Sequence, residues 1–223
     1  ATDRTTSLVN DRIDGLSATE VDTVAQVQAL VSAAAAVMSG AAAGTAPTLA
    51  QLNALGVTGV TADNLAAVQA AIAATANDGS GVDSLSELQT IASNAAAQAA
   101  AAITTISDAA QANTATATTP AATVYSAAGV TGVTDGNLAA INNALNSAAV
   151  TGALTDTAAE IQDLVTAYVA ILAGADADAS NDNATAITAQ YTAIGVTDAT
   201  DRTTSLVNDR IDGLSATEVD TVA

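Results

Sequence analysis

The sequence predicts an all-α protein built from tandem three-helix modules, each with a short, a medium and a long helix, packed end to end into an extended array or filament. Three observations predict it: an internal repeat with two anchors, helix-capping residues that recur at one anchor, and apolar residues spaced as on one face of a helix. No stretch of useful length alternates polar and apolar residues with the period of two that a half-buried strand requires.

The first anchor is a Gly-Val-Thr triplet that occurs three times. Its glycines, Gly56, Gly129 and Gly195, are 73 and 66 residues apart. The surrounding stretches are LNALGVTGVTADNLAAVQAAI at 52–72, YSAAGVTGVTDGNLAAINNAL at 125–145 and YTAIGVTDATDRTTSLVNDRI at 191–211. Glycine suits the left-handed conformation that commonly ends a helix. We therefore expect each of these glycines to end a short helix.

The short helices are predicted to lie just before these glycines. Proline is tolerated at the first position of a helix. The short helices are accordingly predicted to start near Pro47, near Pro120 and near Ala184. A medium helix is predicted after each triplet, because a threonine follows that can serve as an N-cap. These threonines are Thr61, Thr134 and Thr200.

The second anchor is an aspartate that opens the stretches DTVAQVQALV at 22–31, DSLSELQTIA at 83–92 and DTAAEIQDLV at 156–165. In each, Thr or Ser follows the aspartate, and Gln or Glu stands three residues further on. This spacing is a capping box, in which the two side chains satisfy backbone N–H groups at a helix start. It predicts that a long helix begins there in every copy, capped by Thr23 with Gln26, Ser84 with Glu87 and Thr157 with Glu160.

The predicted buried face of each long helix follows the i, i+3, i+4 spacing of an amphipathic helix. In the first copy this stripe comprises Val24, Val27, Val31, Ala35 and Met38. In the third copy it comprises Ile161, Leu164, Val165, Tyr168, Ile171 and Leu172. The stripe of the middle copy, Leu88, Ile91, Ala95 and Ile106, thins to alanine at its centre, which would let another helix approach closely.

Residues 199–223 repeat residues 1–25 without a single change. Ordinary divergence does not preserve solvent-exposed positions, so the identity indicates a period of 198 residues that contains three unequal modules. The predicted division is a partial first module at 1–55, with a medium and a long helix followed by the next short helix. Two full modules follow at 56–128 and 129–194, and residues 195–223 start the next period.

Composition excludes several classes of function. The chain has 23 acidic residues, four Arg and no Lys, His or Cys, for a net charge of −19. Binding to nucleic acid needs clustered Lys and Arg, and catalysis needs a nucleophile or a proton-transfer group. We therefore expect no nucleic-acid partner, no enzymatic activity, no catalytic residues and no cofactor. No uninterrupted apolar run is long enough to span a bilayer, so membrane insertion is not expected either.

Asp176, Asp178, Ser180 and Asp182 alternate with other residues as the early ligands of a calcium loop do. That loop also requires Gly at its sixth position and Glu at its twelfth. Counted from Asp176, these positions hold Asn181 and Ile187. We interpret the segment as a solvated acidic turn and assign no metal site, with weak surface calcium binding at the three aspartates as the alternative.

The repeat units that contain GVTGVTADNLAAVQAAI and GVTGVTDGNLAAINNAL resemble the Ala- and Thr-rich repeats of very large, acidic, Cys-free surface or secreted proteins of Gram-negative bacteria. Those proteins are similar to giant repeat adhesins exported by type I secretion. The resemblance covers essentially the whole chain and brings no catalytic residues. It implies an extracellular or cell-surface location and a structural or adhesive role.

These observations lead to the hypothesis of an extracellular helical filament or stalk that serves in spacing, adhesion or a biofilm matrix. Its expected partner is itself, as neighbouring modules or identical chains, and no adhesive target is assigned. One alternative is a flagellin-like or pilin-like subunit of a self-assembling fibre. Another is a helical module that binds a host protein, which would need an exposed apolar or aromatic patch.

Overall fold

The structure, a computed structural model, describes residues 2–112, 119–178 and 184–219. The described residues form ten α-helices and three short 3₁₀ turns. They contain no β-strand, and a single isolated bridge joins Asp176 to Ser215. The all-helical class predicted from the sequence is confirmed.

The helices follow the order medium, long, short three times, and a fourth medium helix comes last. The medium helices are α1 (Thr2–Asp14), α4 (Ala62–Ala73), α7 (Leu138–Leu145) and α10 (Asp201–Asp212). The long helices are α2 (Val24–Ala41), α5 (Leu85–Ala112) and α8 (Ala158–Ala173). The short helices are α3 (Leu49–Ala54), α6 (Ala122–Ala127) and α9 (Thr188–Ala193). The 3₁₀ turns follow medium helices, at Ala18–Glu20, Gly152–Leu154 and Ala216–Glu218.

The chain divides into two compact units, residues 1–100 and residues 101–223. The division falls within α5, which is one continuous helix. Each unit has its own cluster of buried apolar side chains. The module boundaries derived from the repeat, after residues 55, 128 and 194, stay a prediction.

In the first unit, α2 lies against α1, α3 and α4. Its buried residues are Leu30, Ala33, Ala34, Val37, Gly40 and Ala41. The small side chains let the neighbouring backbone approach closely: a Cβ on Gly40 would lie 2.9 Å from Cδ of Pro47. Larger apolar side chains from the other helices complete the core, among them Leu8, Leu52, Val68, Ile72 and Leu88.

In the second unit, α8 lies against α7 and α9. Two buried tyrosines end in hydrogen bonds to asparagine side chains of the medium helices. The hydroxyl of Tyr125 donates to Oδ1 of Asn142 at 2.8 Å, and that of Tyr191 donates to Oδ1 of Asn208 at 2.5 Å. Burial raises the pKa of both hydroxyls, that of Tyr191 to about 12. Both therefore remain protonated donors at neutral pH.

The sequence predicts that two short helices start near Pro47 and Pro120. Neither proline occupies the first position of its helix. Helix α3 begins at Leu49 with Thr48 as its N-cap, so Pro47 precedes the cap. Thr48 can form a capping box because its N–H and hydroxyl both donate to Oε1 of Gln51, at 2.8 and 3.1 Å. Proline has no N–H to donate. Pro120 likewise precedes the N-cap of α6, and α9 starts at Thr188 rather than near Ala184.

The start of α7 also differs from the prediction. Thr61 and Thr200 are the N-caps of α4 and α10, but the N-cap of α7 is Asn137 rather than Thr134. Residues 134–137 form a separate turn, closed by a bond of 3.1 Å from Asn137 N to the Thr134 carbonyl. Gly136 lies in this turn, and glycine has a low helix propensity.

The buried stripe predicted for α2 is wrong. Val24 is 87% exposed and Val31 is 37% exposed. The buried face of α2 is instead the one that contains Leu30 and Val37. In α8 the corresponding stripe is buried except for the half-buried Leu172, because the segment that contains the preceding Gly-Val-Thr triplet is part of the same core. On α2 the described residues place no such segment over this face.

Among the described helices, α2 is long and apolar enough to cross a membrane by length and composition. About a third of that 18-residue window, 33%, is buried within the protein. Gln26 and Gln28 interrupt the apolar run near its start. Core helices of soluble proteins have the same length and composition, so these two properties do not distinguish a membrane-spanning helix from a core helix.

Candidate functional site

Each short helix ends in the same backbone motif, centred on the glycine of the triplet. Gly56, Gly129 and Gly195 have φ values of 82°, 81° and 90°, in the left-handed region. The N–H of Val57 donates to the Leu52 carbonyl at 3.1 Å, which is the Schellman pattern of a helix end. The same bond joins Val130 to Tyr125 at 3.0 Å and Val196 to Tyr191 at 2.9 Å.

A second left-handed residue follows three positions later and fixes the path of the turn. It is Gly59 in the first copy and Gly132 in the second, with φ of 79° and 89°. In the first copy, Asn64 holds both sides of the turn: its Oδ1 accepts from Thr61 N at 2.9 Å and its Nδ2 donates to the Gly59 carbonyl at 3.0 Å. The third copy has Asp198 at this position, with φ of 60°. Asp adopts this conformation more readily than most residues.

The threonine of the triplet is bound through its backbone by a glutamine of the next long helix. Oε1 of Gln89 accepts from Thr58 N at 2.9 Å, and Nε2 of Gln89 donates to the Thr58 carbonyl at 3.1 Å. Gln162 makes the same two bonds to Thr131, at 2.8 and 3.2 Å. The separation is 31 residues in both copies. One amide group therefore bonds both backbone groups of one threonine and links the turn to the long helix.

Gln28 occupies the corresponding position on α2, because all three glutamines come six residues after the aspartate of the second anchor. Its Nε2 donates to Oγ of Ser32 at 3.3 Å, as Gln89 does to Ser93 at 2.9 Å. No threonine of a described Gly-Val-Thr triplet bonds to Gln28. The sequence predicted no role for these glutamines, although they recur in the second anchor.

A second repeated contact joins each medium helix to the residue before the N-cap of the preceding short helix. A side-chain amide donates to a carbonyl 22 residues earlier in all three copies. The pairs are Gln69 with Pro47 at 2.8 Å, Asn142 with Pro120 at 3.0 Å and Asn208 with Ala186 at 2.9 Å. The amide residue is Asn in the two copies whose short helix has a tyrosine. It is the longer Gln in the copy whose short helix has Leu52 at that position.

The predicted capping residues lie at the starts of the long helices. At α2, the N–H and hydroxyl of Thr23 donate to Oε1 of Gln26 at 2.8 and 2.7 Å, and Gln26 N donates back to Thr23 Oγ1 at 3.3 Å. Thr157 and Glu160 make the same three bonds at α8. At α5, Ser84 Oγ donates to Oε2 of Glu87 at 2.9 Å, and Glu87 N donates to Ser84 Oγ at 3.3 Å.

Polar side chains of α1 bind the segments that follow it in the first unit. Arg4 pairs with the carboxylates of Asp83 and Asp78. Arg12 Nε donates to the Ala54 carbonyl at 3.0 Å, and its guanidinium lies against Gly56. These contacts anchor α1 at the end of α3 and at the loop before α5.

The calcium alternative involves one residue, Asp182, that lies outside the described residues. Asp176 and Asp178 are exposed, and the N–H of Asp178 donates to Oδ1 of Asp176 at 3.0 Å. The described part of the chain contains no group of three or more potential metal ligands. An open groove of about 480 Å³ lies beside α9 and α10, and the ionisable groups in its lining are the carboxylates of Asp201 and Asp209.

Comparison of the chain with protein-family models, with curated protein sequences and with solved structures gave no match.

Replacing Gly56 by Ala is expected to destabilise the protein more than replacing Gly59 by Ala. The φ values are 82° and 79°, so a left-handed alanine costs about 1–2 kcal/mol at either position. A Cβ on Gly56 would also lie 2.7 Å from Nη1 of Arg12, so the guanidinium would have to move and lose its bond to the Ala54 carbonyl, whereas a Cβ on Gly59 meets nothing within 4 Å. Urea unfolding followed by far-ultraviolet circular dichroism measures both changes. Equal costs would contradict the close approach of Arg12.

Replacing Gln89 by Ala is expected to lower the free energy of unfolding by about 1–2 kcal/mol, because both amide bonds to the Thr58 backbone are lost. Gln98→Ala, on the exposed face of the same helix, is the matched control and should change stability by less than about 0.5 kcal/mol. Hydrogen exchange of the Thr58 amide gives a local readout. Equal protection of that amide in the Gln89→Ala and Gln98→Ala variants would show that the bridge contributes nothing.

The capping carboxylate of Glu160 is expected to make stability depend on pH. The hydroxyl of Thr157 donates to it and lowers the pKa of Glu160 below its ordinary value of 4.5. A carboxyl whose pKa is lower in the folded chain contributes stability above the ordinary pKa, and this contribution is lost as pH falls through the lowered value. Glu160→Gln keeps an acceptor oxygen, as Gln26 does at α2, and should remove this part of the acid dependence.

The measurement is the free energy of unfolding in urea at several pH values between about pH 6 and pH 3, where a carboxyl titrates. The reciprocal variant, Gln26→Glu, places a carboxyl in the corresponding cap of α2 and is expected to add acid dependence. If the pH profile of Glu160→Gln coincides with that of the unchanged chain, the cap of α8 does not depend on the ionised form of Glu160.

Proposed function

We propose that this chain is the structural repeat of an extracellular bacterial filament or giant surface adhesin, which serves in spacing, adhesion or a biofilm matrix. The observation that carries the proposal is the recurrence of one contact at equal separation, Gln89 with Thr58 and Gln162 with Thr131. Repeated sequence alone can arise by duplication without a common assembly. Each of these long-range bonds joins the turn and the long helix of one predicted module, 56–128 or 129–194, so their recurrence supports one module structure that is used more than once.

Tandem docking offers a way to stabilise helices with such small side chains. An alanine-rich helix buries little apolar area, at about 0.8 kcal/mol per methylene. A module of this kind gains stability from the surface of its neighbour, as in repeat proteins in general. A contact between two different surfaces that does not close on itself continues as an open fibre. The predicted modules, packed end to end in an extended array, would then form the filament.

The charge of the chain favours this role over competing classes. A net charge of −19 keeps a long polymer soluble and repels nucleic acid and anionic membranes. The proposed partner is the chain itself, and the proposed location is outside the bacterial cell or at its surface. We propose no enzymatic activity and no cofactor, because the sequence has no His, Cys or Lys to serve as a nucleophile or base near neutral pH.

A second candidate function is that of a flagellin-like or pilin-like subunit, a separate chain that polymerises through its ends. The exposed apolar side chains of α10 favour it: Leu206 is 71% exposed and Val207 is 41% exposed. A surface of this kind also suits a module that binds a host protein. Self-contact fits it better, because the identical residues Leu8 and Val9 are buried against other parts of this same sequence.

The experiment that tests the proposal is the mass of the intact polypeptide, measured on denatured native material. We expect a mass many times the 21.5 kDa of these 223 residues, as a chain of tandem periods requires. A mass near one period of 198 residues would contradict the giant adhesin and leave the polymerising subunit. A native chain that forms no filaments in electron micrographs at any mass would contradict both.

A further inference from the structure

We infer that residues 199–223 of one copy of the chain take the place of residues 1–25 in a second copy. In this arrangement the Gly195–Thr197 turn of the first copy docks on α2 of the second copy, over Gln28 and Val31. The inference rests on the proposed function, in which one repeat packs on the next, and specifies the contact through which one copy would bind the next.

The two identical segments have different environments within one chain. Leu8 is fully buried, whereas its counterpart Leu206 is 71% exposed. Val9 is 6% exposed and its counterpart Val207 is 41% exposed. Because the 25 residues are the same, the difference comes from their neighbours alone. Leu206 and Val207 in α10 are therefore exposed only because the residues that bury Leu8 and Val9 in α1 have no counterpart among the described residues beside α10.

Residues 1–25 contact residues that follow them in the sequence. Arg12 Nε donates to the Ala54 carbonyl, and Asp11 Oδ2 accepts from Leu85 N at 3.1 Å. Arg4 pairs with Asp83, and Leu8 is part of the core that α2 and α3 form. The counterparts of these residues in α10, including Arg202 and Arg210, are exposed.

Residues 199–223 contact residues that precede them in the sequence. Asn208 Nδ2 donates to the Ala186 carbonyl, and Asp212 Oδ1 accepts from Ala184 N at 3.1 Å. Val219 accepts from the hydroxyl of Tyr168 at 3.0 Å. The counterparts of Asn208 and Asp212, which are Asn10 and Asp14, are exposed in the first segment. Each segment thus has one half of a complete set of contacts.

The contacts to earlier residues and the contacts to later residues lie on opposite faces of the medium helix. Thr204, Asn208 and Ile211 follow one another at intervals of four and three residues and lie on one face. Arg202, Leu206 and Arg210 follow at intervals of four and lie on the other face. One helix can therefore bind both sets of neighbours at once. For both sets to be present, one copy must supply the residues before 199 and another copy the residues after 25.

The surface of α2 is complementary to the turn that this exchange would bring to it. Ala92 and Val165, at the position of Val31 in α5 and α8, are fully buried, whereas Val31 is 37% exposed. The amides of Gln89 and Gln162 bind the backbone of a triplet threonine, and the described triplets leave Gln28 without this contact. Thr197 is the threonine of the third triplet, and no described glutamine binds its backbone as Gln89 binds that of Thr58.

The exchange itself is balanced, because residues 199–223 offer a second copy the same side chains that residues 1–25 give up. The net gain is the contact of α9 and its turn with α2. Arg202 would pair with Asp83 and Asp78 of the second copy, as Arg4 does. Docking would also bury Leu206 and Val207 in the way that Leu8 and Val9 are buried.

Cross-linking between two single-cysteine variants of the full chain tests this contact. The chain has no cysteine of its own. Gln28→Cys is mixed with ¹⁵N-labelled Thr197→Cys and treated with bismaleimidoethane, a short thiol cross-linker. We expect linked pairs that contain one chain of each kind to exceed pairs of identical chains by at least tenfold, as read by mass spectrometry.

The matched control is a mixture of Thr58→Cys and ¹⁵N-labelled Gln89→Cys chains. These positions meet within each chain, so a link between two different chains should not be favoured. If mixed pairs are no more frequent for positions 28 and 197 than for positions 58 and 89, the inference is wrong. The double variant Thr58→Cys/Gln89→Cys should form a link within one chain, which shows that the cross-linker spans this geometry.

An exposed leucine provides an independent test by sedimentation velocity. Leu206→Asp should weaken self-association by at least tenfold, because it places a charge in the proposed contact. Leu154→Asp is the matched control, since Leu154 is 55% exposed and lies outside that contact; it should change association by less than twofold. Equal effects of the two substitutions would contradict the inference.

The outcomes separate this contact from the proposed function. Filaments in electron micrographs without the link between positions 28 and 197 would overturn the contact and leave the filament proposal in place. A chain that remains monomeric and unlinked would overturn the contact and the polymerising subunit, and would leave a single giant chain of tandem periods in place. Binding of the chain to phosphatidylcholine vesicles that is lost in Val31→Asp would assign this face of α2 to a membrane and overturn the contact.

Discussion

The positions of the short helices α3 and α6 depend on the two hydrogen bonds between a long-helix glutamine and the backbone of a Gly-Val-Thr threonine. The helices have mostly small side chains, so apolar burial between them is modest and specifies their register weakly. An amide that bonds both the N–H and the C=O of one residue, as Gln89 does with Thr58, fixes distance and direction together. Side chain-to-backbone bonds therefore set the geometry of this fold, and small apolar side chains fill the space that the bonds leave.

The limits of most helices could be predicted from the sequence because local residues set them. A capping box uses residues three apart, and the N–H and side-chain groups of Thr23 and Gln26 are enough to place the start of α2 at Val24. A glycine with positive φ likewise ends α3 within one turn. The starts of α3 and α7 could not be placed to the residue, because the N-cap competes with its neighbours. Thr48 can form a capping box where Pro47 cannot, and Gly136 interrupts the first turn after Thr134.

The contacts that define the site could not be read from the sequence. The recurrence of Gln89 and Gln162 is visible, but nothing in the letters distinguishes an exposed glutamine from one that binds a turn 31 residues away. Burial is harder still, as the two identical segments show. Leu8 and Leu206 have the same sequence on both sides and differ from 0% to 71% in exposure. The failure of the stripe predicted for α2 has the same cause, since periodicity identifies a face that can be buried and not the segment that covers it.

The shared segment combines a small apolar surface with many groups that form directed bonds. In α1 the apolar residues are Leu8, Val9 and Ile13, and most of the rest are polar or charged. A segment of this composition exposes too little apolar area to drive non-specific aggregation, and a net charge of −19 opposes random collision of chains. The bonds made by Arg12 and Asn208 reach backbone groups in fixed positions, so only a matching surface satisfies them. In the proposed filament, specificity of this kind would favour ordered addition of one repeat to the next over disordered association.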